Sequence, residues 1–332
     1  MGKAVELKII EPMYSTYHHQ GAGTAIIADN LNIRNWYLNQ AIQLNCDRGF
    51  LYGKFSPDVE VTGSSIWENP YIEKKRFWVK YLGSAVNTVI RNLIDSGYYV
   101  YYLGVDDYYV EGKTWYHERH LSHDGLICGY DQNKKTYKIF AYDKSWIYRV
   151  FETPQKGFNE GQKAEAAKGN YGILWAIKSI SRDIVLEPSV ICSKIKEYLN
   201  SSLDMYPPYI NDRVYGVAVY DYLAMYLNKL IDGSIPYEML DRRVFRLIWE
   251  HKKVMYERIC AVEHLLKLGH ALSVQYEDIV KISDNIRMMY ASYHTKKRDG
   301  ILSVIRDKLI SMKKEEVALL NDFILKTEAA IK

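Results

Sequence analysis

Hydrophobic and polar positions follow two different periods along the chain, and the change between them lies near residue 180. Before it, short apolar and tyrosine-rich runs alternate with turn signals, which is typical of β-strands mixed with short helices. After it, apolar residues recur every three or four positions over long stretches, which is typical of helices. The pattern predicts an α+β domain over residues 1–180 and an all-α helical domain over residues 181–332.

The same pattern predicts individual elements. A helix is expected at residues 84–97, where an apolar stripe ends at a glycine suited to close it. Strands are predicted at residues 98–105, 123–130, 136–142, 146–151 and 172–180. A polar loop with some helix is predicted at residues 154–170, and further helices at residues 189–200, 214–231, 236–268, 276–293 and 301–331.

Composition narrows the classes of partner. The chain carries 44 basic and 40 acidic residues, a balance that does not favour nucleic acid. No apolar run approaches the roughly 20 residues that cross a bilayer, so no membrane partner is expected. The first twelve residues lack the apolar core of a signal peptide, and the four cysteines lack paired spacing. We therefore expect a cytoplasmic protein without disulfides.

Three histidines at a spacing of three invite a metal-binding interpretation. On a helix, however, His117, His120 and His123 would spread around the circumference, and zinc-hydrolase motifs use other spacings. We therefore expect no metal site. His123 differs from the other two because it opens a predicted strand that a polar turn joins to a returning strand. If this hairpin is centred on Asn133, His123 lies directly opposite Asp143.

An aspartate beside a histidine fixes the tautomer of the ring, and the pair is two-thirds of a nucleophilic triad. The alternative interpretation is a structural hydrogen bond. The missing nucleophile is expected at a helix N-terminus, where the helix dipole lowers the pKa of a thiol. The segment from Gly21 to Ile27 has this architecture, a glycine-rich turn followed by small residues, but Ala22 stands where a cysteine is needed. None of the cysteines has the required setting; they are Cys46, Cys128, Cys192 and Cys260.

The glycine-rich helix start, the His123 strand and Asp143 together resemble papain-fold proteins of the kind represented by bacteriocin-processing peptidases and the butirosin acyltransferase. The resemblance covers about residues 10–180. It implies a papain-like cysteine-protease fold with an antiparallel sheet, followed by a helical extension, and catalytic positions at Ala22, His123 and Asp143. With Ala22 the chain cannot form a thioester, so it is either a natural pseudoenzyme or a Cys-to-Ala variant. A further possibility is that Ser15 is the nucleophile and that the helix starts earlier.

Relatives of this kind form amides beside thiotemplated assembly lines for natural products. The resemblance implies an acyltransferase that moves an acyl group from a carrier-protein thioester, through a cysteine at position 22, to a small amine. The phosphopantetheine arm of an acyl or peptidyl carrier protein would tether the substrate, and no other cofactor is expected. The alternatives are a papain-like peptidase, a thioester hydrolase and a non-catalytic binding protein. Candidate oxyanion and substrate-binding residues are Tyr17, His19, Gln20, Asp107, Trp115 and Tyr116.

The helical half offers two further expectations. Lys296, Lys297 and Arg298 form a basic stretch that could dock an acidic carrier protein, although such surfaces are more often only solvated. The long helices could instead form a homodimer.

Overall fold

In a computed structural model, the chain is a mixed α+β protein that divides into two compact units. The first unit comprises residues 1–33 and 65–183, and the second comprises residues 34–64 and 184–332. The structure describes residues 2–27, 30, 32–53, 56–202, 212–298 and 300–332. Residues 34–64, which the sequence pattern placed in the α+β domain, belong to the helical unit. The physical reason is strand pairing: two short strands in this segment form a sheet with residues 213–215.

The strands are β1 (Ala4–Glu6), β2 (Leu44–Asp47), β3 (Val59–Val61), β4 (Ile72–Trp78), β5 (Tyr99–Asp106), β6 (Ser122–Asp131), β7 (Thr136–Tyr142), β8 (Tyr148–Pro154), β9 (Ile173–Ser179) and β10 (Arg213–Tyr215). The helices are α1 (His18–Ala25), α2 (Ile33–Gln40), α3 (Val79–Leu82), α4 (Val86–Asp95), α5 (Gln155–Ala167), α6 (Pro188–Leu199), α7 (Ala218–Ile231), α8 (Arg243–Leu266), α9 (Ala271–Thr295) and α10 (Ile301–Ile331).

The first unit is built on a seven-stranded antiparallel sheet in the order β4-β9-β5-β6-β7-β8, with β1 paired to the end of β6. Alternate side chains of β5 enter different hydrophobic clusters, because successive strand residues face opposite sides of a sheet. Val100 and Tyr102 pack with Ile90 of α4 and Phe158 of α5. Tyr101, from the opposite face, packs with α1. The sheet is therefore covered by helices on both faces.

Helix α5 and strand β4 of the first unit differ from the elements that the sequence predicts. The segment at 154–170, predicted as a polar loop with some helix, is mostly the 13-residue helix α5. Its buried face includes Gly161, Gln162 and Glu165, a set that carries little hydrophobic periodicity. Strand β4 was not predicted, because its sequence IEKKRFW shows no clean alternation at the edge of the sheet.

The second unit combines the three-stranded antiparallel sheet β10-β2-β3 with helices α6 to α10. The helix predicted from residue 236 begins later, at Arg243. Pro236 instead precedes a single 3-10 turn at Tyr237–Met239. The fully buried guanidinium of Arg258 on α8 donates hydrogen bonds to the carbonyl oxygens of Leu38 and Ala41, which ties residues 34–64 to the helices.

A single buried carboxylate connects the five long helices of the second unit. Glu316 of α10 accepts hydrogen bonds from the hydroxyl groups of Tyr198 in α6, Tyr220 in α7 and Tyr276 in α9. It also pairs with the ammonium group of Lys252 in α8 at 2.8 Å, and both charged side chains are fully buried. Removing one partner of a buried ion pair leaves an uncompensated charge, which is strongly destabilising.

We therefore expect Glu316→Gln to lower the free energy of unfolding of the helical unit by about 3–5 kcal/mol. The neighbouring Glu315→Gln, on the exposed face of the same helix, should change it by less than about 0.5 kcal/mol. Urea titration followed by the helical circular dichroism signal measures both. Equal effects of the two substitutions would contradict the assigned role of Glu316.

The imidazole of His251, beside Lys252, must stay neutral in the folded protein. Burial is the main reason that its pKa lies well below 6.5, and the Lys252 ammonium adds to the effect. Its Nε2–H donates to the carbonyl oxygen of Ile42 at 2.7 Å, and its Nδ1 accepts from Lys252 at 2.9 Å. Below pH 6.5 the unfolded chain takes up a proton at this residue that the folded chain refuses.

The helical unit should therefore lose stability as the pH falls from 7 towards 5. His251→Asn, which cannot titrate, should show a shallower dependence over that interval, even if its stability at pH 7 is lower. Urea midpoints at three pH values, measured on both proteins, provide the comparison. Parallel slopes would show that His251 is not the group responsible.

Candidate active site

The helix proposed to carry the nucleophile begins earlier than the sequence pattern predicted. Helix α1 starts at His18, with Tyr17 as the preceding cap residue, so Ala22 is its fifth residue. The backbone N–H at position 22 lies past the first turn, where helix amides donate to carbonyl groups four residues earlier, and it is not an oxyanion donor. The fully buried methyl group of Ala22 belongs to a hydrophobic cluster that includes Tyr101, Leu126 and Phe140. Ala22 is a core residue in this structure.

The predicted pairing of His123 with Asp143 is wrong. Leu126 lies opposite Phe140 as expected, although the pairs nearer the turn are shifted by one residue at a bulge between Ile127 and Gly129. The β6–β7 ladder ends at Leu126 and Phe140 and does not extend to position 123. His123 pairs instead with Val105 of β5.

The aspartate that contacts His123 is Asp107, which had been a candidate substrate-binding residue. The Nδ1 atom of His123 lies 2.8 Å from the Oδ2 atom of Asp107. The Asp107 side chain is 1% exposed and the His123 side chain is 36% exposed. The carboxylate is therefore enclosed, while the ring it orients can be reached from outside.

Asp143 has a structural role at the start of a turn. Its carboxylate accepts hydrogen bonds from the backbone N–H groups of Ser145 and Ile147 and from the side chain of Arg149. Burial acts to raise the pKa of Asp143, but these hydrogen bonds and the Arg149 charge hold it below the usual value. Asp143 therefore stabilises the β7–β8 connection.

A bulge in β5 places Asp107 beside His123. Gly104 has a φ of +75°, a conformation that favours glycine, and the β5–β6 pairing shifts by one residue at this point. The strand then ends in Asp106, which is fully buried and accepts hydrogen bonds from the backbone N–H groups of Tyr108 and Leu121. Burial acts to raise the pKa of Asp106, but these bonds and a 2.8 Å contact with His120 lower it overall. Asp106 thereby fixes both ends of the connection from β5 to β6.

The buried ammonium group of Lys113 lies between two carboxyl-bearing residues. Its Nζ atom is 3.4 Å from the Oδ1 atom of Asp107 and donates to the backbone carbonyl of Asp124 at 2.9 Å. The Asp124 carboxylate accepts a hydrogen bond from the hydroxyl group of Tyr101. Burial acts to raise the pKa of Asp124, but its interactions with His18, Tyr101, His123 and Lys113 lower it overall. Lys113 thus contacts the Asp107 carboxylate and the backbone of β6 at Asp124.

His18, the first residue of α1, completes the cluster from the other side. Its ring centroid lies 5.1 Å from that of His123 and 5.3 Å from that of Tyr148, whose hydroxyl is 3.4 Å from the His18 Nδ1 atom. A side chain at Gly21 would clash with the Tyr148 ring at 2.6 Å, so a glycine at this position allows the approach. The pKa of His18 is lowered to about 3, mainly by burial, so the ring is neutral at pH 7.

The other predicted site residues make contacts away from this cluster or add to its surroundings. Tyr17 stacks on His19 at 5.6 Å, and Gln20 is buried in α1. Trp115 packs against Trp146. Tyr116 stacks on His117, and the carbonyl oxygen of Ser15 accepts a hydrogen bond from Tyr142.

One group in the described part of the chain could hold a metal ion. It consists of His18, His123 and Asp124, whose potential ligand atoms all lie within 4.8 Å of one another. The expectation of no metal site concerned His117, His120 and His123, and of these three only His123 belongs to the present group. Sequence reasoning missed His18, Asp124 and Lys113. The only local signal was the His18–His19 pair immediately before the glycine-rich segment.

None of the four cysteines belongs to the cluster. Cys128 lies in β6, and burial raises the pKa of its thiol to about 12. The remaining three are in the second unit. A cavity of about 510 Å³ also lies apart from the cluster, and its lining includes Lys80, Gln162 and Tyr171.

Comparison of the chain with protein-family models and with curated proteins finds no match. Across the described residues, every helix is too short or too polar to cross a membrane.

The structure predicts opposite behaviour for cysteines introduced at positions 22 and 18. Ala22→Cys places its thiol in the hydrophobic cluster, where burial raises the thiol pKa and blocks reagents. His18→Cys replaces a buried ring by a smaller side chain at the helix start, beside the partly exposed ring of His123, so its thiol is less enclosed than one at position 22. At pH 7 we expect iodoacetamide to modify the His18→Cys protein at least about tenfold faster. Intact mass and peptide mapping identify the labelled residue, and Cys128 serves as the internal buried control.

If Ala22→Cys reacts as fast as His18→Cys, the helix start and position 22 have been assigned to the wrong environments.

Proposed function

We propose that the first unit catalyses acyl transfer from a thioester to a small amine at the cluster of His18, His123 and Asp124. The observation that carries this proposal is the meeting of a helix start with an oriented histidine. The ring of His18 lies 5.1 Å from that of His123, and the other side of the His123 ring is bonded to enclosed Asp107. The papain-like acyltransferases that the sequence resembles place a helix start beside a strand histidine in this way. A papain-like fold for this unit is part of the same proposal.

The proposed reaction proceeds without an acyl-enzyme. The residue at the helix start is an imidazole rather than a thiol, and position 22 is in the core. The amine therefore attacks the thioester carbonyl directly, so that a C–N bond forms and the C–S bond breaks. The Nε2 atom of His123 accepts the proton that the amine loses and returns it to the departing thiolate.

The surroundings of His123 suit a general base. Asp107 holds the ring through Nδ1, which leaves Nε2 as the proton acceptor. The carboxylate of Asp124 offers a hydrogen-bond acceptor that orients the neutral amine, the form that carries the attacking lone pair. We propose that the acyl group arrives on the phosphopantetheine arm of an acyl or peptidyl carrier protein, which is slender enough to reach a partly exposed histidine.

Substitution of His123 provides the test. With a hydroxybenzoyl thioester of N-acetylcysteamine and a small primary amine, we expect the wild-type chain to form the amide. His123→Asn should lower the rate by about 10²–10⁴-fold, the usual contribution of a general base. His120→Asn is the matched control, because His120 also contacts an aspartate through Nδ1 but belongs to the β5–β6 connection. Chromatography with mass detection measures amide and free acid together.

Two results would contradict the proposal. Equal amide formation by the wild-type and His123→Asn proteins would remove His123 from the reaction. Free acid formed at the same rate with and without the amine would identify a thioester hydrolase instead. Intact mass should show no acyl adduct on the protein.

A further inference from the structure

The ring nitrogen Nε2 of His18 is a buried polar atom without a hydrogen-bond partner among the described residues. The side chain is 6% exposed, so water does not readily replace a protein partner. An unsatisfied buried polar atom is unfavourable unless a ligand supplies the missing partner. A ligand bound at Nε2 of His18 would supply the missing partner.

His18 also belongs to a group of three side chains whose potential ligand atoms lie close together. One potential ligand atom from each of His18, His123 and Asp124 lies within 4.8 Å of the others. A tetrahedral zinc ion with bonds of about 2.0–2.1 Å brings its ligands to about 3.4 Å from one another. Side-chain movements of about an ångström would therefore close the group around a cation.

The residues that hydrogen-bond to His123 and Asp124 are of the kind that hold metal ligands in place. Asp107 accepts from Nδ1 of His123, which leaves Nε2 as the nitrogen of that ring with a free lone pair. Tyr101 donates to one carboxylate oxygen of Asp124 and leaves the other for a cation. A carboxylate behind a ligating histidine is the usual outer arrangement of zinc sites.

The donor set also selects the class of cation. Two imidazole nitrogens with one carboxylate suit zinc and similar transition metals, whereas calcium and magnesium prefer oxygen ligands alone. The nearby ammonium group of Lys113 opposes any cation. The ammonium group pairs with the Asp107 carboxylate and donates to the backbone carbonyl of Asp124. The side-chain carboxylate of Asp124 remains to offset the charge of the bound cation.

We propose that His18, His123 and Asp124 bind one zinc-type divalent cation, and that this cation regulates the reaction of the cluster. The regulatory part rests on the proposed function: a cation bound to Nε2 of His123 takes the lone pair that the base needs. Zn²⁺ should therefore suppress amide formation in proportion to its occupancy.

Binding is measured independently of activity. The full chain is dialysed against a chelator, titrated with Zn²⁺ by calorimetry and, in parallel, with Co²⁺, whose visible absorption reports tetrahedral coordination. We expect one equivalent of cation per chain. His18→Asn should lower the affinity at least about 100-fold, and His120→Asn should leave it unchanged. Because His18 is buried, His123→Asn provides a second ligand variant at a partly exposed position, and circular dichroism verifies that each variant is folded.

The outcomes separate this proposal from the preceding one. If the wild-type chain binds no stoichiometric cation, or if His18→Asn and His123→Asn bind as tightly as wild type, the cation site is wrong, while His123-dependent amide formation can still stand. If the cation binds as expected but the metal-free chain forms no amide, the cation site stands and the acyl transfer is wrong. If Zn²⁺ binds and amide formation is undiminished, the regulatory role is wrong.

Discussion

A carboxylate that leaves water loses its hydration, and a protein keeps it ionised only by supplying donors from its own chain. This constraint determines the arrangement of the first unit. Asp106 and Asp107 are both buried where β5 ends, and their donors come from the segment that follows. The backbone of Leu121 and the side chains of Lys113 and His123 must therefore return to this point. His123 is therefore positioned by its contact with the buried Asp107 carboxylate and not by strand pairing within the β6–β7 hairpin.

The second unit meets the same constraint with different donors. Glu316 is surrounded by three tyrosine hydroxyl groups and one ammonium group, each from a different helix. A phenylalanine would fill the same space as each tyrosine but would leave the carboxylate without a hydrogen bond. Part of the excess of 30 tyrosines over 8 phenylalanines therefore has a structural reason. Tyrosine lets this bundle bury rings and satisfy a charge with the same side chain.

The strands around the central hairpin were predictable because their apolar positions alternate and their turn is short. Leu126 pairs with Phe140 as predicted, although a bulge between Ile127 and Gly129 separates this pair from the turn. The partner of His123 was not predictable, because it depends on where the β6–β7 ladder stops and on a bulge at Gly104 in another strand. Helix α5 was underestimated for a related reason: it buries glycine, glutamine and glutamate, which carry no apolar stripe. Local pattern thus identified strands β5 to β9 of the sheet but not β1 or β4, while long-range pairing decided the composition of the site.

The identity of the residue at the start of α1 determines the chemistry available to the cluster. The positive end of a helix favours an anion, so a thiol in this place would ionise and act as a nucleophile. An imidazole responds in the opposite way, because both burial and the helix end disfavour its cation. His18 therefore remains neutral and offers a lone pair rather than a charge. A buried neutral imidazole in this setting suits a ligand or a hydrogen-bond acceptor, and in the proposed acyl transfer the attacking group comes from the substrate.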